Sequence, residues 1–126
     1  MPPVRRRGVL GRLVERLGKS SVELEADELH DSSIRMGATP IAELEPRRPA
    51  VVCGEVRSVA LRPNIQVAAL VVEIFDGTVP LNLVWLGRRE IAGIEPGVFL
   101  RARGRMTLRR GVPTIFNAAY EIVHRG

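Results

Sequence analysis

The hydrophobic pattern of this chain changes period once, near residue 50. Before that point apolar residues recur at helical spacing. Leu10, Leu13, Val14 and Leu17 share one face, with Arg12, Glu15 and Arg16 between them, which predicts an amphipathic helix stopped at Gly18. Ser20 followed by Glu23 has the form of a capping box and predicts a second helix from Ser21 to about Ser32. That helix is acidic (Glu23, Glu25, Asp27, Glu28, Asp31), and Val22, Leu24 and Leu29 give it only a thin apolar stripe. Thr39-Pro40 puts a cap residue before a first-turn proline, so one helical turn is expected over 40–44. Pro46-Arg47-Arg48-Pro49 reads as a connector.

From Ala50 the period is two. A first strand is expected over 51–61, with Gly54 as a bulge or tight bend. A second covers 65–75 and carries Leu70, Val72 and Ile74 on one face. Asp76-Gly77 turns into a third, 78–86. Residues 87–93 read as a short helix, with Ile91 and Ile94 plugging one end of a barrel. A fourth strand covers 98–108, Arg109-Arg110-Gly111 forms a hairpin loop, and a fifth strand covers 112–123.

Charge sharpens this division. Residues 1–19 carry a net +5, beginning with the basic arm Arg5-Arg6-Arg7; residues 20–46 carry −6; residues 50–126 carry +4. Eighteen of the nineteen basic residues are Arg, a bias that genome composition can produce, so the position of each arginine matters more than the total. The single cysteine, Cys53, excludes an internal disulfide and fits a reducing cytoplasm as a small buried hydrophobe. No apolar run is long enough for a membrane span, and the N-terminus lacks the apolar core of a secretory signal.

Five strands with the only internal helix between the third and fourth is the order of an OB-fold, a partly open Greek-key barrel. At that point GEVRSV (54–59), DGT (76–78), LVWLGRR (83–89), IEPG (94–97), RGRM (103–106) and NAAYE (117–121) together resemble the small bacterial OB-fold nucleic-acid-binding proteins. These are related to anticodon-binding OB domains and to the wedge domain of the branched-DNA helicase. The resemblance covers about residues 40–124 and rests on the order and spacing of short words. The chain departs from the pattern at Asn117-Ala118-Ala119-Tyr120, where such proteins often have Asn-Pro before the final aromatic. The expected organisation is all-β: a basic arm and helical extension over 1–49, then a five-stranded OB-fold Greek-key barrel over 50–124.

Motifs for catalysis are missing. There is no GxGxxG, no P-loop and no His/Cys ligand cluster; His30 and His124 stand alone, and the serines at 20, 21, 32 and 33 read as caps or solvated positions. No catalytic residue, metal or cofactor is expected.

The strongest candidate feature is the fourth strand. Arg101, Arg103 and Arg105 alternate with apolar or small residues and so share a face about 13 Å long. Like charges at that spacing need anions nearby. Phosphates would serve, and so would Glu55 and Glu121 on the neighbouring strands, so ligand binding and cross-strand pairing both stay open. OB-folds bind oligonucleotides across strands two and three, bordered by the loops joining strands one to two and four to five. Here those loops carry Arg62 and Asn64, and Arg109 and Arg110, with Arg57, Arg88 and Arg89 near the same rim. Phe75 is the best candidate stacking platform, Trp85 points to the core, and Phe116 and Tyr120 share a parity that fits either face. The expectation is cytoplasmic, noncatalytic binding of single-stranded or structured DNA or RNA, electrostatic and weakly sequence-selective. The alternative is a protein-interaction or oligomerisation module built on the barrel and the N-terminal helices.

Overall fold

A computed structural model describes residues 20–63 and 66–124. The basic arm, the amphipathic stretch over 10–17, Asn64 and Ile65 lie outside the described residues.

The capping box forms. Ser20 accepts from the Glu23 N–H at 3.1 Å, and the Glu23 carboxylate accepts from the Ser20 N–H at 2.9 Å, so two orphan donors are satisfied at the start of α1 (Ser21–Arg35). The helix runs a turn beyond the expected end and stops where Gly37 takes φ 77°. Its buried side is Leu29, Ser32 and Ser33, while Val22 is 73% exposed. The apolar stripe therefore does not pack along its length, and the serines at 32 and 33 are interior rather than solvated. A 3₁₀ turn, Ile41–Glu43, stands where one helical turn was expected.

Six strands follow: β1 (Pro49–Arg62), β2 (Ala69–Phe75), β3 (Pro80–Leu86), β4 (Phe99–Arg109), β5 (Val112–Phe116) and β6 (Ala119–Val123). The order is β1-β2-β3-β5-β4-β6, and β1 also pairs with β4, so five strands close a ring. Closure follows from the length of β1. Its first half pairs with β4 (Pro49 opposite Arg105, Glu55 opposite Phe99), and its second half with β2 (Glu55 opposite Phe75, Arg62 opposite Ala69). This is the OB-fold arrangement, with one helix ahead of the strands among the described residues.

Alternation decides what fills the ring. Val52, Val56, Leu70, Val72, Ile74, Leu81, Leu83, Trp85, Leu100, Met106 and Ile115 all point inward. At about 25 cal/mol per Å² of apolar surface removed from water, this interior supplies most of the driving force. Trp85 is 5% exposed, and its indole N–H donates to the Ala118 carbonyl at 3.1 Å, so burial leaves no polar atom unpaired there. Outside the ring, Leu29 of α1 packs with Ala38, Cys53 and Phe99, fastening the helix over the β1–β4 surface.

Four expectations change. Residues 87–93 form no helix; they are a run of turns in which Gly87 and Gly93 adopt positive φ. So short a stretch cannot sustain a helix alone, and Ile91 and Ile94 reach the core without one. The bulge in β1 lies between Val56 and Ser58, not at Gly54. Gly54 serves a close approach instead, since a Cβ there would stand 3.1 Å from the Phe75 backbone. The second strand begins at Ala69 rather than at 65. The fifth strand is two strands, broken at Asn117, which takes φ 52°. The break falls beside Gly104, whose missing side chain admits Ile115; a Cβ there would lie 2.5 Å from the Ile115 methyl.

Candidate nucleic-acid interface

The arginines of the barrel fall into three groups, and strand register decides which. The first lies on β4. Arg101, Arg103 and Arg105 all point outward, flanked by β1 on one side and, at Arg101 and Arg103, by β6 on the other. Arg101 stands opposite Glu121 and bonds it at 3.1 Å. Arg103 is exposed, and its guanidinium has no ion pair or hydrogen bond among the described residues. Arg105 is exposed and donates to the Arg47 carbonyl. Cross-strand pairing thus accounts for one arginine of the three. Glu55 lies opposite Phe99 and Phe75 and pairs with Arg57.

The stripe continues to the β4–β5 hairpin. Arg109 places its guanidinium 5.6 Å from the centre of the Phe116 ring, a cation–π distance. Arg110 and Gly111 form the two-residue turn with φ 52° and 81°, the pattern of a type I′ hairpin. Phe116 therefore faces outward. The break at Asn117 resets parity, and Tyr120 turns toward the barrel end, edge-on to Trp85 at 5.6 Å.

The second group is at the far end of the β2–β3 surface. Arg62 lies opposite Ala69, which lies opposite Leu86, and Arg88 and Arg89 follow immediately; all three arginines are exposed. The hairpin lies level with Pro80, because Asn82 pairs with Thr114 and Arg109 with Val112. From Pro80 to Leu86 the surface runs about 20 Å at the usual strand rise. Basic residues stand at both ends; between them on the same face lie Val71, Glu73, Asn82, Val84 and Phe116, with Val71 and Val84 buried and the Glu73 carboxylate beside Asn82. The β4 stripe is continuous with Arg109 but not with Arg62.

The third group is a single closed cluster. Arg57, at the bulge, pairs with Glu55 at 3.3 Å and with Glu25 of α1 at 3.7 Å, and lies 5.0 Å over the Phe75 ring. Phe75 is half-buried beneath that guanidinium and packs against the Leu29 cluster. The sequence placed both residues among the contact candidates; the structure gives each an intramolecular partner.

Two features were not evident from the sequence. Asp76, read as a turn residue, is fully buried. Its carboxylate accepts from the Ile41 N–H at 2.8 Å, the Thr78 N–H at 2.9 Å and the Thr78 hydroxyl at 2.6 Å, tying the 3₁₀ turn to the β2–β3 hairpin. Gly77 beside it has φ 93°, and a Cβ there would sit 2.2 Å from the Ala26 carbonyl of α1. The second feature is Arg47-Arg48, read as a connector. The Arg47 N–H donates to the Met106 carbonyl at 2.6 Å, and Met106 N–H donates to the Arg48 carbonyl at 3.1 Å, which lays these arginines beside the β4 stripe. No local signal reports that pairing, because its partner lies far away in sequence.

Catalytic chemistry finds little here. Burial pushes the Cys53 thiol up to about 11, against a smaller opposing pull from Arg101, so it is a neutral core group at physiological pH. Among the described residues no group of three or more His, Cys, Asp or Glu is placed to hold a metal ion, and no helix is long and apolar enough to cross a membrane.

The likeness to known structures agrees with this barrel. The chain is similar to part of RecG, in a structure of RecG bound to a three-way DNA junction, with 20% identity over 64% of this chain and a TM-score of 0.51. It spans 12% of the length of that chain. A chain of a replication protein A heterotrimer bound to ssDNA is similar at 14% identity, covering 73% of this chain and 78% of that one, with a TM-score of 0.48. No protein-family model matches the sequence, and no curated protein matches it. At 20% identity the likeness to that part of RecG bears on the fold alone, an OB barrel.

Proposed function

We propose that this chain is a noncatalytic, cytoplasmic nucleic-acid-binding module, with a helical extension over 1–49 attached to a barrel over 50–124. It binds single-stranded or structured DNA or RNA by its phosphates and is only weakly selective for sequence. The observation that carries this reading is the placement of exposed arginines at both ends of the β2–β3 surface, Arg62, Arg88 and Arg89 at one and Arg109 and Arg110 at the other. Arg103 and Arg105 extend the second group along β4. A guanidinium without a protein anion is available to a phosphate and releases a counterion on binding. The role of RecG on a three-way junction makes a branched duplex a natural second ligand to test.

The test is fluorescence anisotropy with a labelled single strand and a labelled three-way junction. Replacing Arg103, Arg105 and Arg109 together by Ala is expected to weaken binding at least tenfold, and Arg57→Ala to leave it within twofold. Equal losses from both changes would contradict the assignment.

A second reading, a protein-interaction surface, draws support from Val59, Leu61 and Leu86, which are 36%, 39% and 48% exposed near the Arg62 end. Absence of nucleic-acid binding at low salt, with self-association in sedimentation, would favour it.

A further inference from the structure

Non-glycine residues with positive φ are informative because glycine or asparagine suits that backbone better. Among the described residues three have it: Asn117, Arg47 at 68° and Arg110 at 52°. Asparagine tolerates the left-handed region. The other two are arginines, and they flank the basic stripe of β4, Arg47 bonded beside Arg105 and Met106 and Arg110 at the hairpin tip. Each position carries a long cationic side chain where the backbone would be better served by a residue that has none.

The surroundings explain what such side chains could do. Arg48 and Arg103 line a groove of about 620 Å³ between the 3₁₀ turn and the β1–β4 pair. Its carboxylates are Glu43 and Glu45, and Glu45 is already paired with Arg48 at 3.3 Å. Two guanidinium groups, Arg48 and Arg103, thus meet two carboxylates in the groove, and Arg47 and Arg105, joined by their hydrogen bond, add two more positive charges beside it. The Arg105 bond to the Arg47 carbonyl holds the second strand of charge against the first.

We propose that Arg47 joins Arg103 and Arg105 in one phosphate-binding ridge, and that Arg47 and Arg110 are kept in left-handed backbone because their side chains contact the ligand's phosphodiester chain. This rests on the nucleic-acid reading above and adds a path to it: a strand crossing the β2–β3 surface continues past the hairpin tip and along β4 toward Arg47. Strained backbone clusters at ligand-contact positions, where it is part of the mechanism.

The consequence is an opposition of sign. Arg47→Gly and Arg110→Asn each remove a charge and relax the backbone. Both are expected to raise or preserve the melting temperature of the full chain while weakening binding to a labelled single-stranded oligonucleotide about fivefold. Each is also expected to lower the salt slope by about 0.7, the value for one phosphate contact on a single strand. Polyglutamate of matched charge is the control and should not compete at equal concentration. If the wild type binds and both variants bind equally well, the ridge is wrong and the proposed function stands. If polyglutamate competes equally, the surface selects charge alone and the ridge is overturned. If the wild type does not bind at low salt, the proposed function fails and the ridge with it.

Discussion

Arg57 and Arg103 are both strand arginines on the outside of the same barrel, and their settings are opposite. Arg57 has two carboxylates within 3.7 Å and an aromatic ring 5.0 Å below its guanidinium. The Arg103 guanidinium has no ion pair or hydrogen bond among the described residues. The difference comes from what covers each place. Helix α1 is fastened near Arg57 through Leu29 and brings Glu25 with it, so that side of the barrel is closed by its own chain. Among the described residues the β4 side beyond Arg101 receives no such cover. A basic residue that is paired internally contributes to the fold, and one that is left unpaired is available to a ligand.

The closed side should break hardest. Asp76→Ala leaves the Ile41 and Thr78 donors without their acceptor in a fully buried site, and three bonds to a buried carboxylate make a loss of about 3–5 kcal/mol in urea denaturation the expected result. Gly77→Ala forces a side chain into the Ala26 carbonyl at φ 93°, and a loss of about 2 kcal/mol or more is expected in the same assay. Either change should leave the open side's arginines in place, so affinity measured on the folded fraction should hold.

The open side should respond in the reverse sense. Arg103→Glu with Arg105→Glu is expected to reduce nucleic-acid affinity more than tenfold in anisotropy while costing about 1–2 kcal/mol of stability through the lost Arg105 bond to the Arg47 carbonyl. Arg57→Ala should cost about 1 kcal/mol through its exposed pairs and ring contact and leave affinity unchanged. The last effect, confined to alkaline pH, concerns Cys53. Its folded-state thiol is raised to about 11 from an ordinary value near 9, so its contribution is whole below pH 9 and is lost as pH rises toward 11. Cys53→Ala should remove that part of the alkaline decline in a pH series of melting curves.

Local physics made much of this barrel legible beforehand. The capping box at Ser20 and Glu23 lies within one turn, so it can be read without knowing the fold. The alternation of Leu70, Val72 and Ile74 reports a buried face because strand parity is set by neighbours in sequence. Trp85, Ile91 and Ile94 are buried as expected. The features that escaped all depend on distant partners. Asp76 becomes a clamp only because Ile41 is folded onto it, and Arg47 joins β4 only through Met106 and Arg105. The break at Asn117 follows Ile115, which lodges over Gly104, a contact that parity within one strand cannot reveal. The helix expected over 87–93 failed for the converse reason: its two isoleucines reach the core through turns, so no helical period is required.

The central claim is that unpaired arginines on the open side bind phosphates. The most direct measurement is the affinity for a labelled single strand across a salt series, for the wild type and for the Arg103→Glu, Arg105→Glu variant. With about five arginines engaged, the account predicts a linear fall of log affinity against log salt with a slope near −3.5, made shallower by at least 1 in the variant. A flat wild-type response, or an equally steep slope in both proteins, would contradict it.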